Sequence, residues 1–331
     1  MFDDKSILIT GGSGSLGRAL TKRLLHFHRP RRVIVFSRGE KAQGEMRQMF
    51  PESQYPPIRF YIGDVRDYAR LKLAFTDVDY VVHAAAVKEV PTCEKDIWEA
   101  IKTNVGGAEN VQRAAIDMGV RRVVALSTDK ASSPVTAYGA TKLLSDKSFV
   151  RGNVYAAGTQ TSFVVVRYGN VACSRGSVIP LFLSQRQYGE VTITDEHMTR
   201  FWMSMEDAVD AILWALENCL GGEIVVPKMP SFRITDLAEA VAPGCRRKIV
   251  GIRLSEKLHE QLWSPEESRQ VYDCGAYYVI YPETVDWTLN YGILKAAKQV
   301  PEGFSYRSDT NGVWLSSSGI RELLQREGID V

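Results

Sequence analysis

The sequence predicts an α/β fold in which a doubly wound parallel sheet is followed by a smaller C-terminal α/β lid. Apolar β-rich runs alternate with helical patterns through the first half of the chain, as in parallel sheets covered by helices on both faces. A glycine-rich turn joins the first strand to the first helix. From about Asn170 the alternation becomes less regular. We therefore expect a first domain over residues 1–170 and a second mainly over 171–331, with a soft boundary that segments of chain cross.

The predicted elements follow from local periodicity. Six short apolar runs predict the strands of the first half: 7–10, 33–36, 58–62, 80–83, 123–127 and 163–167. Helical patterns alternate with them at 16–25, 41–50, 69–75, 97–118 and 138–155. In the second half, helical patterns occur at 178–188, 206–219 and 234–242. Short strands and candidate substrate loops lie between these last helices, which is why we assign this half to a substrate-binding lid.

The composition indicates a globular protein with an ample core. The 331 residues are 45% hydrophobic and 24% charged, which argues against general disorder. With 41 basic against 39 acidic side chains, the net charge gives no overall attraction to nucleic acid or to a membrane surface. The five cysteines are scattered without metal-binding spacing, and no apolar run approaches the thickness of a bilayer. We expect a cytoplasmic protein that binds no nucleic acid, membrane or metal.

The glycine-rich turn predicts a dinucleotide site. Its glycines satisfy both the G-x-G-x-x-G and the G-x-x-G-x-x-G spacing, between a strand and an amphipathic helix. Glycine lets the backbone approach a pyrophosphate, and the helix N-terminus offers amide donors. The cofactor contacts expected from this turn are Gly11, Ser13, Gly14, Ser15, Leu16 and Gly17. A turn without a ligand is the alternative, but the flanking strand and helix favour a Rossmann-type, dinucleotide-binding first domain.

The end of the second predicted strand bears on the choice between NAD and NADP. Folds that bind NAD usually place a carboxylate there, whereas this chain has Ser37 and Arg38, which suit a 2′-phosphate. We therefore expect NADP, with Glu40 leaving NAD open as the alternative. Further cofactor contacts are expected at strand ends and on the following helix: Asp64, Val65, Ala84, Ala86, Tyr138, Lys142 and Val171. Ordinary turn chemistry is the alternative for the strand ends.

Two pairs of residues predict proton transfer. Tyr138 and Lys142 lie four positions apart, on one face of a helix, so that the ammonium can hold the phenol as a phenolate. Asp129 and Lys130 lie just upstream, after Thr128 at the end of a strand. A solvated turn is the ordinary interpretation of such a dipeptide, but its position before the Tyr138 helix favours a second acid/base couple. A simple alcohol dehydrogenase needs no such couple, which indicates more steps than redox alone.

These motifs resemble the extended short-chain dehydrogenase/reductase family, which places a glycine-rich turn and a Tyr-x-x-x-Lys pair on a Rossmann fold. The chain to about Trp314 is similar to one branch, the soluble, inverting UDP-N-acetylglucosamine 4,6-dehydratases of pseudaminic acid biosynthesis. The segments that carry the resemblance are SR at 37–38, GDVRD at 63–67, HAAAVK at 83–88, STDKA at 127–131, YGATK at 138–142, RYGNV at 167–171, SRGSV at 174–178, MTRFW at 198–202 and EKLHE at 256–260. Relatives that retain configuration typically carry Thr-Asp-Glu at 128–130. Larger membrane-bound relatives often have methionine at the position of Tyr138, so Tyr138 favours the soluble branch.

The resemblance implies a dehydration. Tyr138 takes the proton of the sugar 4-hydroxyl while the C4 hydride passes to NADP, and Thr128 hydrogen-bonds near the 4-oxygen. Lys130, with a pKa lowered by burial and nearby positive charge, removes the C5 proton, and Asp129 protonates the departing 6-hydroxyl. The hydride then returns to C6, so NADP is tightly bound and regenerated in each turnover. Inversion at C5 is implied by the family and not by residue spacing.

The same resemblance implies a UDP-sugar partner and a homo-oligomer of two or more copies. The residues expected at the substrate are Lys88, Thr128, Asn170, Arg175, Arg200, Arg253 and Glu256. The cations among them suit a diphosphate, and only the motif context favours them over solvated surface charges. Phe201 and Trp202 suit the core and a stacking platform equally. Departures from the family pattern at Gly39, Glu89 and 254–255 bear on cofactor contacts, sugar recognition and the loop near the diphosphate.

Two other functions remain open. A UDP-sugar 4-epimerase needs Tyr138 and Lys142 but not the Asp129–Lys130 couple, so that couple favours dehydration. A non-catalytic NADP-binding sensor needs no tuned phenol, so Tyr138 and Lys142 argue against it. The preferred sugar and the downstream glycan stay open, with flagellin glycosylation as the expectation from the resemblance.

Overall fold

The computed structural model of the chain describes residues 1–172, 177–252, 256–282, 297–329 and 331. Within these ranges the largest feature is a ten-stranded sheet. Its first six strands along the chain are β1 (Ser6–Thr10), β2 (Arg32–Ser37), β3 (Ile58–Ile62), β4 (Tyr80–His83), β5 (Arg122–Leu126) and β6 (Ser162–Val166). They are parallel and lie in the order β3–β2–β1–β4–β5–β6. The predicted α/β fold with a Rossmann-type parallel sheet is therefore confirmed.

Most helices that accompany these strands begin and end close to the predicted positions, but the sequence does not predict the short helix at Val90–Lys95. The helices are α1 (Ser15–Phe27), α2 (Glu40–Met49), α3 (Tyr68–Ala74), α4 (Val90–Lys95), α5 (Ile97–Ile101), α6 (Gly107–Asp117) and α7 (Ala137–Tyr155). One prediction is wrong: the helix expected over 97–118 is not a continuous α-helix, since a π-helical turn occupies Lys102–Gly106. None of the helices in the described ranges combines the length and the apolar character needed to cross a bilayer.

The side chain of Asn104, in the π-helical turn, hydrogen-bonds to two other segments of the chain. Asn104 Oδ1 accepts from the Val87 N–H at 2.8 Å, and Nδ2 donates to the Val87 carbonyl at 3.0 Å. Nδ2 also donates to Thr141 Oγ1 at 3.0 Å. Asn104 thereby holds the loop after β4 against α7. Turns of this kind are frequent at functional sites, and this one supports one wall of the cleft described below.

The second half of the chain returns to the large sheet. Its elements are β7 (Asn170–Val171), α8 (Val178–Arg186), β8 (Glu190–Ile193), β9 (Thr199–Met203), α9 (Met205–Asn218), β10 (Ile224–Pro227), β11 (Ser231–Arg233), α10 (Ile234–Val241), β12 (Arg246–Ile249), β13 (Val271–Asp273), β14 (Tyr277–Ile280), β15 (Lys298–Gln299) and α11 (Ser317–Arg326). Strand β10 pairs in parallel with β6, and β14, β13 and β15 extend the sheet with antiparallel pairing. Helix α9 packs against α1, where Arg23 pairs with Glu206 and Asp210. Segments on both sides of residue 170 thus build one large core.

A smaller unit lies beside the large sheet. It contains the sheet β11–β9–β7, the pair β12–β8 and the helices α8, α10 and α11. Its own apolar core includes fully buried side chains from these helices and from β8: Phe182, Val191, Leu237 and Ile320. Phe201 belongs to the large core and Trp202 to this smaller one. Both aromatic side chains are therefore core residues, and neither forms a stacking platform.

Candidate active site

A cleft of about 790 Å³ opens at the carboxyl ends of the parallel strands, where open α/β sheets bind their ligands. Its walls come from the turn between β1 and α1, the loops after β2 to β6 and the start of α7. The expected cofactor contacts that line it are Gly11, Gly14, Ser15, Leu16, Gly17, Ser37, Arg38, Asp64, Val65, Ala84, Ala86, Tyr138, Lys142 and Val171. The remaining expected catalytic residues that line it are Thr128, Asp129 and Lys130. The fold thus brings the two predicted groups into one cleft.

The turn between β1 and α1 fits a pyrophosphate. Gly11 has φ +66°, a conformation that favours glycine, and a Cβ on it would lie 2.9 Å from the Ala85 backbone. Helix α1 begins after Gly14, so no side chain caps its first-turn amides. Those amides and the helix dipole favour an anion at this point of the cleft. The residues present therefore suit a dinucleotide.

Close packing inside this turn makes Gly17 sensitive to substitution. A Cβ on Gly17 would lie 2.2 Å from the Gly12 carbonyl oxygen, so Gly17→Ala must displace the turn or α1. We expect the variant to lose about 1–3 kcal/mol of unfolding free energy and to bind dinucleotides more weakly, as measured by urea denaturation and fluorescence titration. Gly44→Ala is the matched control, because a Cβ there meets no atom within 4 Å. Alanine in the interior of α2 should raise the free energy of unfolding by about 0.5–1 kcal/mol. An unchanged unfolding free energy for Gly17→Ala would contradict the packing argument.

Ser37, the last residue of β2, and Arg38, which follows it, have different roles. Ser37 Oγ accepts from Ser13 Oγ at 2.9 Å and from Gln43 Nε2 at 3.1 Å. Ser13, an expected cofactor contact, thus holds Ser37 in place and does not itself line the cleft. Arg38 is different, since 52% of its side chain is exposed and its Nη1 lies 3.6 Å from Asp64 Oδ2. Of the two residues expected at a 2′-phosphate, Arg38 is therefore the one whose donors stay accessible.

Helix α7 carries Tyr138 and Lys142 to the cleft. It begins after Thr136, whose Oγ1 accepts from the Gly139 N–H at 2.9 Å. Gly139 packs against the turn that follows β5, since a Cβ on it would lie 2.3 Å from the Lys130 carbonyl oxygen. This close approach sets α7 directly against the second acid/base couple.

The protonation of Tyr138 differs from the expectation. Burial raises its pKa to about 12, against the positive charge of Lys130 and a hydrogen bond with Thr128. Burial also lowers the pKa of Lys142, an effect that Asp146 opposes. The expectation that the Lys142 ammonium by itself holds a phenolate is therefore wrong, because desolvation of the buried phenol outweighs the nearby charge. The side chains of the cleft alone keep Tyr138 neutral.

The turn after β5 holds the second acid/base couple. Residues Asp129–Ala131 form a short 3-10 helical turn, and the Asp129 N–H donates to the Tyr168 carbonyl at 3.0 Å. Thr128 Oγ1 and Lys130 Nζ both donate to Asp129 Oδ1, at 2.9 and 3.0 Å. The side chain of Asp129 is 1% exposed and that of Lys130 is 27% exposed. The couple is therefore a constrained, largely buried pair and not a solvated turn.

A carboxylate that sequence reasoning missed completes this couple. Glu260 is 3% exposed, and its Oε1 accepts from Lys130 Nζ at 3.2 Å. It ends the EKLHE segment at 256–260, for which the sequence predicts only Glu256 at the site. A second acidic residue in that motif was the one available signal, and only the fold shows that it reaches Lys130.

The two carboxylates reverse the expected shift of the Lys130 pKa. Burial lowers this pKa, but attraction first to Asp129 and then to Glu260 outweighs burial and holds it above its ordinary value. The expectation of a lowered pKa is wrong because it counted burial and neighbouring cations but not the attraction to Asp129 and Glu260. Burial, followed by repulsion from Glu260, raises the pKa of Asp129. Asp129 Oδ2 and Glu260 Oε2 are both buried without a hydrogen-bond partner among the described residues. Because the pKa of Asp129 is raised whereas that of Glu260 is lowered, Asp129 is the carboxyl better suited to hold a proton.

Arg200 and Glu256, which the sequence predicts at the substrate, lie outside the cleft lining. Arg200 is 9% exposed, and its guanidinium donates to three backbone carbonyls of β9 and of the 257–258 segment at 2.7–3.1 Å. Its other neighbours are Glu260, with Nε to Oε1 at 3.6 Å, and Glu256, with Nη2 to Oε1 at 3.8 Å. The donors of Arg200 therefore brace the segment that carries Glu260, and contact of Arg200 or Glu256 with the substrate stays a prediction.

The other expected substrate contacts divide between the cleft and the residues that are not described. Lys88 and Asn170 line the cleft, as do the departures Gly39 and Glu89. Arg175 and Arg253 lie outside the described residues, together with the departure at 254–255. In the described ranges, Lys88 and Asn170 are thus the expected contacts for the nucleotide sugar beyond Thr128.

His83 is another residue of the cleft that sequence reasoning did not select. Its buried Nδ1 lies 2.8 Å from Thr10 Oγ1. Burial, followed by the charge of Lys142, lowers the pKa of His83 to about 3. The described part of the chain contains no group of three His, Cys, Asp or Glu side chains that could share a metal ion. His83 therefore contributes a neutral, hydrogen-bonded ring to the wall of the cleft.

Known proteins resemble this chain over nearly its whole length. The model of a family described as polysaccharide biosynthesis protein matches residues 7–282. A Campylobacter jejuni protein named UDP-N-acetylglucosamine 4,6-dehydratase (inverting) is 48% identical over 98% of both chains. A Rickettsia akari protein named UDP-glucose 4-epimerase is 46% identical over 88% of this chain and 86% of its own. Among solved structures, Pen from Bacillus thuringiensis matches with a TM-score of 0.89 and 35% identity over 99% of both chains.

Proposed function

Because this chain belongs to the polysaccharide biosynthesis protein family of the extended short-chain dehydrogenases/reductases, we propose that it is a UDP-N-acetylglucosamine 4,6-dehydratase that inverts C5. The observation that carries the proposal is the Asp129–Lys130 couple, which lines the same cleft as Tyr138 and Lys142. Hydride transfer at C4 needs one proton acceptor, which Tyr138 supplies. Loss of water across C5 and C6 needs a second base and an acid, and the couple supplies both.

Oxidation at C4 depends on Tyr138. The chemistry that a nicotinamide supplies when bound is reversible hydride transfer, away from C4 at the start and back to C6 at the end. Tyr138 takes the proton of the 4-hydroxyl, and Thr128, which lines the same cleft, hydrogen-bonds near the 4-oxygen. Ionisation of Tyr138 is favoured by the positive charge of Lys130, and Lys142 lies one turn further along the same helix.

The dehydration step moves one proton within the couple. Lys130 Nζ donates to Asp129 Oδ1 at 3.0 Å, so transfer of that proton turns an ammonium and a carboxylate into an amine and a carboxylic acid. The amine then takes the C5 proton, which the 4-ketone has made acidic, while Asp129 gives its proton to the departing 6-hydroxyl. The C5–H and C6–O bonds break, water leaves, and the couple returns to its ion pair. The raised pKa of Lys130 is compatible with this step because its proton passes to Asp129 and not to solvent.

The product that we propose is a UDP-2-acetamido-2,6-dideoxy-4-hexulose inverted at C5. Lys130 stands where relatives that retain configuration typically carry a glutamate. As hydride is delivered to C6, a proton that exchanges with solvent adds to C5 on the face opposite to the one from which Lys130 removed the first proton, and this gives inversion. Lys88 and Asn170, which line the cleft, contact the UDP portion. We further propose a cytoplasmic homo-oligomer whose product enters pseudaminic acid for flagellin glycosylation, as in the branch that the sequence resembles.

The cofactor that we propose is NADP, with Arg38 at its 2′-phosphate. Arg38 Nη1 lies 3.6 Å from Asp64 and 3.7 Å from Glu99, which holds the exposed guanidinium at the cleft wall. Arg38→Ala should weaken NADP binding by about 10- to 100-fold, as expected for the loss of a charged hydrogen bond, and leave NAD binding nearly unchanged. Isothermal titration with both dinucleotides measures the two affinities. Arg113→Ala, at a surface ion pair in α6, is the control, and an equal loss for NAD and NADP on Arg38→Ala would contradict the assignment.

Incubation with UDP-N-acetylglucosamine, without added reductant, tests the proposed reaction. Mass spectrometry should detect a nucleotide sugar that has lost one water. An isomer of unchanged mass would instead indicate a UDP-sugar 4-epimerase, the second candidate, which the name of the Rickettsia akari relative favours. No change in the nucleotide sugar would favour a non-catalytic dinucleotide-binding protein. The buried Asp129–Lys130 couple is the observation that favours dehydration over both alternatives.

A further inference from the structure

We propose that Glu260 is a positioning residue for the dehydration step, in which its carboxylate orients the Lys130 amine toward C5 of the sugar. This inference deepens the proposed dehydratase function and rests on it. Glu260 does not line the cleft, so its action on the substrate passes through Lys130. It comes from the segment after residue 256, whereas Lys130 follows β5, and the contact therefore forms only when the two halves of the chain are packed together.

Two hydrogen bonds hold the tip of Lys130. Nζ donates to Asp129 Oδ1 at 3.0 Å and to Glu260 Oε1 at 3.2 Å. A neutral amine has two N–H donors and one lone pair, and its fourth direction is the bond to Cε. The proton that passes to Asp129 leaves the lone pair directed at Oδ1, so rotation about the Cε–Nζ bond must first bring the third N–H to Asp129. With both remaining N–H groups then directed at buried carboxyl groups, the lone pair takes the one remaining direction. Because Lys130 lines the cleft and 27% of its side chain is exposed, that direction opens to the space where the sugar would lie.

Glu260 is itself held rigidly. Arg200 Nε lies 3.6 Å from Glu260 Oε1. The Glu260 backbone N–H donates to Ser308 Oγ at 2.9 Å, and its carbonyl accepts from the Ser308 N–H at 2.9 Å. Ser308 Oγ lies 2.7 Å from Thr199 Oγ1 in β9. The backbone of Glu260 is thus fixed to β9 and its neighbours, independently of the turn that carries Lys130, and Arg200 is the neighbour of the carboxylate on that side. Positioning groups must be held by such supports.

The charges around Glu260 favour a carboxylate that stays ionised. The charged groups that face it are Lys130, Arg200, Lys257 and Asp129. Burial opposes its ionisation, but attraction to Lys130 and Arg200 outweighs burial and lowers the pKa of Glu260. Its negative charge contributes to raising the pKa of both Asp129 and Lys130. Glu260 therefore helps the Asp129–Lys130 couple to retain a proton, which Asp129 then gives to the 6-hydroxyl.

Glu260→Ala removes the acceptor and the charge and is the main test. We expect the rate of dehydration to fall about 10²-fold, as for a misplaced reacting group, while C4 oxidation proceeds at nearly its normal rate. Reduced nicotinamide should therefore accumulate after mixing with UDP-N-acetylglucosamine, as followed by absorbance, and deuterium should enter C5 slowly in D2O. Glu260→Gln keeps an acceptor oxygen in the same place without the charge, so it should recover part of the dehydration rate. It also keeps the test valid if the alanine variant does not fold.

The control for the Glu260 variants is a substitution of another buried carboxylate, Glu223, outside the cleft lining. Glu223 is 2% exposed and accepts from the Leu220 and Gly221 N–H groups, far from the cleft lining. Glu223→Gln should lower the unfolding temperature without changing the ratio of C4 oxidation to dehydration. If both steps fall together in the Glu260 variants, or if neither falls, Glu260 is a structural residue and the inference is overturned. If the unsubstituted protein forms no dehydrated sugar, the proposed function fails and this inference fails with it.

Discussion

Lys130→Ala is expected to lower the rate of dehydration by about 10²- to 10⁴-fold, the usual contribution of a general base. The variant should still bind its dinucleotide, because Tyr138 and Lys142 lie on α7 and not on the turn that is altered. C4 oxidation should slow as well, because the positive charge of Lys130 that favours ionisation of Tyr138 is lost, but it should slow by less than dehydration. Reduced nicotinamide should accumulate after addition of UDP-N-acetylglucosamine, and no deuterium should enter C5 in D2O. Stopped-flow absorbance and mass spectrometry measure the two outcomes separately.

Lys130→Arg separates this chemistry from the stability of the site. Alanine leaves Asp129 and Glu260 buried without the cation that lies between them, and such a loss destabilises a fold. Arginine keeps the positive charge but is not deprotonated in proteins, so it cannot act as the base. Both variants should lose dehydration, and the arginine variant should retain more of the unfolding temperature. Deuterium incorporation at the normal rate in either variant would contradict the role of Lys130.

Tyr138→Phe is expected to stop the reaction one step earlier. Phenylalanine keeps the packing of the ring but removes the acceptor of the 4-hydroxyl proton, so C4 oxidation should fall by about 10²- to 10⁴-fold. Without the 4-ketone the C5 proton is not acidic, and neither reduced nicotinamide nor deuterium at C5 should appear. Tyr155→Phe is the matched control, because Tyr155 ends the same helix and is 75% exposed. Accumulation of reduced nicotinamide in Tyr138→Phe would assign the proton transfer to another group.

The strands and most helices could be predicted because their signals are local. Residues 58–62 and 80–83, for example, are short apolar runs whose predicted bounds match β3 and β4. The π-helical turn at Lys102–Gly106 could not be predicted. It accompanies hydrogen bonds from Asn104 to Val87 and Thr141, which lie in separate segments of the chain, and no periodicity reports such contacts.

The cleft residues could be predicted from motif spacing, whereas their protonation could not. Asp129, Lys130 and Tyr138 lie within ten positions of one another, so the strand and helix that carry them bring them together. The raised pKa of Lys130 comes first from Asp129, its neighbour in the sequence, and then from Glu260, which lies 130 positions away. The surroundings of Arg200 could not be predicted for the same reason, since its burial against the 257–258 carbonyls is set by distant segments.

The configuration at C5 of the sugar formed in D2O is the measurement that tests the proposed reaction most directly. Proton NMR of the product that the unsubstituted protein forms from UDP-N-acetylglucosamine reports the ketone, the C6 methyl group and C5 together. We predict a 4-keto-6-deoxy sugar that carries deuterium at C5 and has the C5 configuration opposite to that of the substrate. A dehydrated product with retained C5 configuration would contradict the inverting role of Lys130, and an unlabelled C4 epimer would contradict dehydration itself.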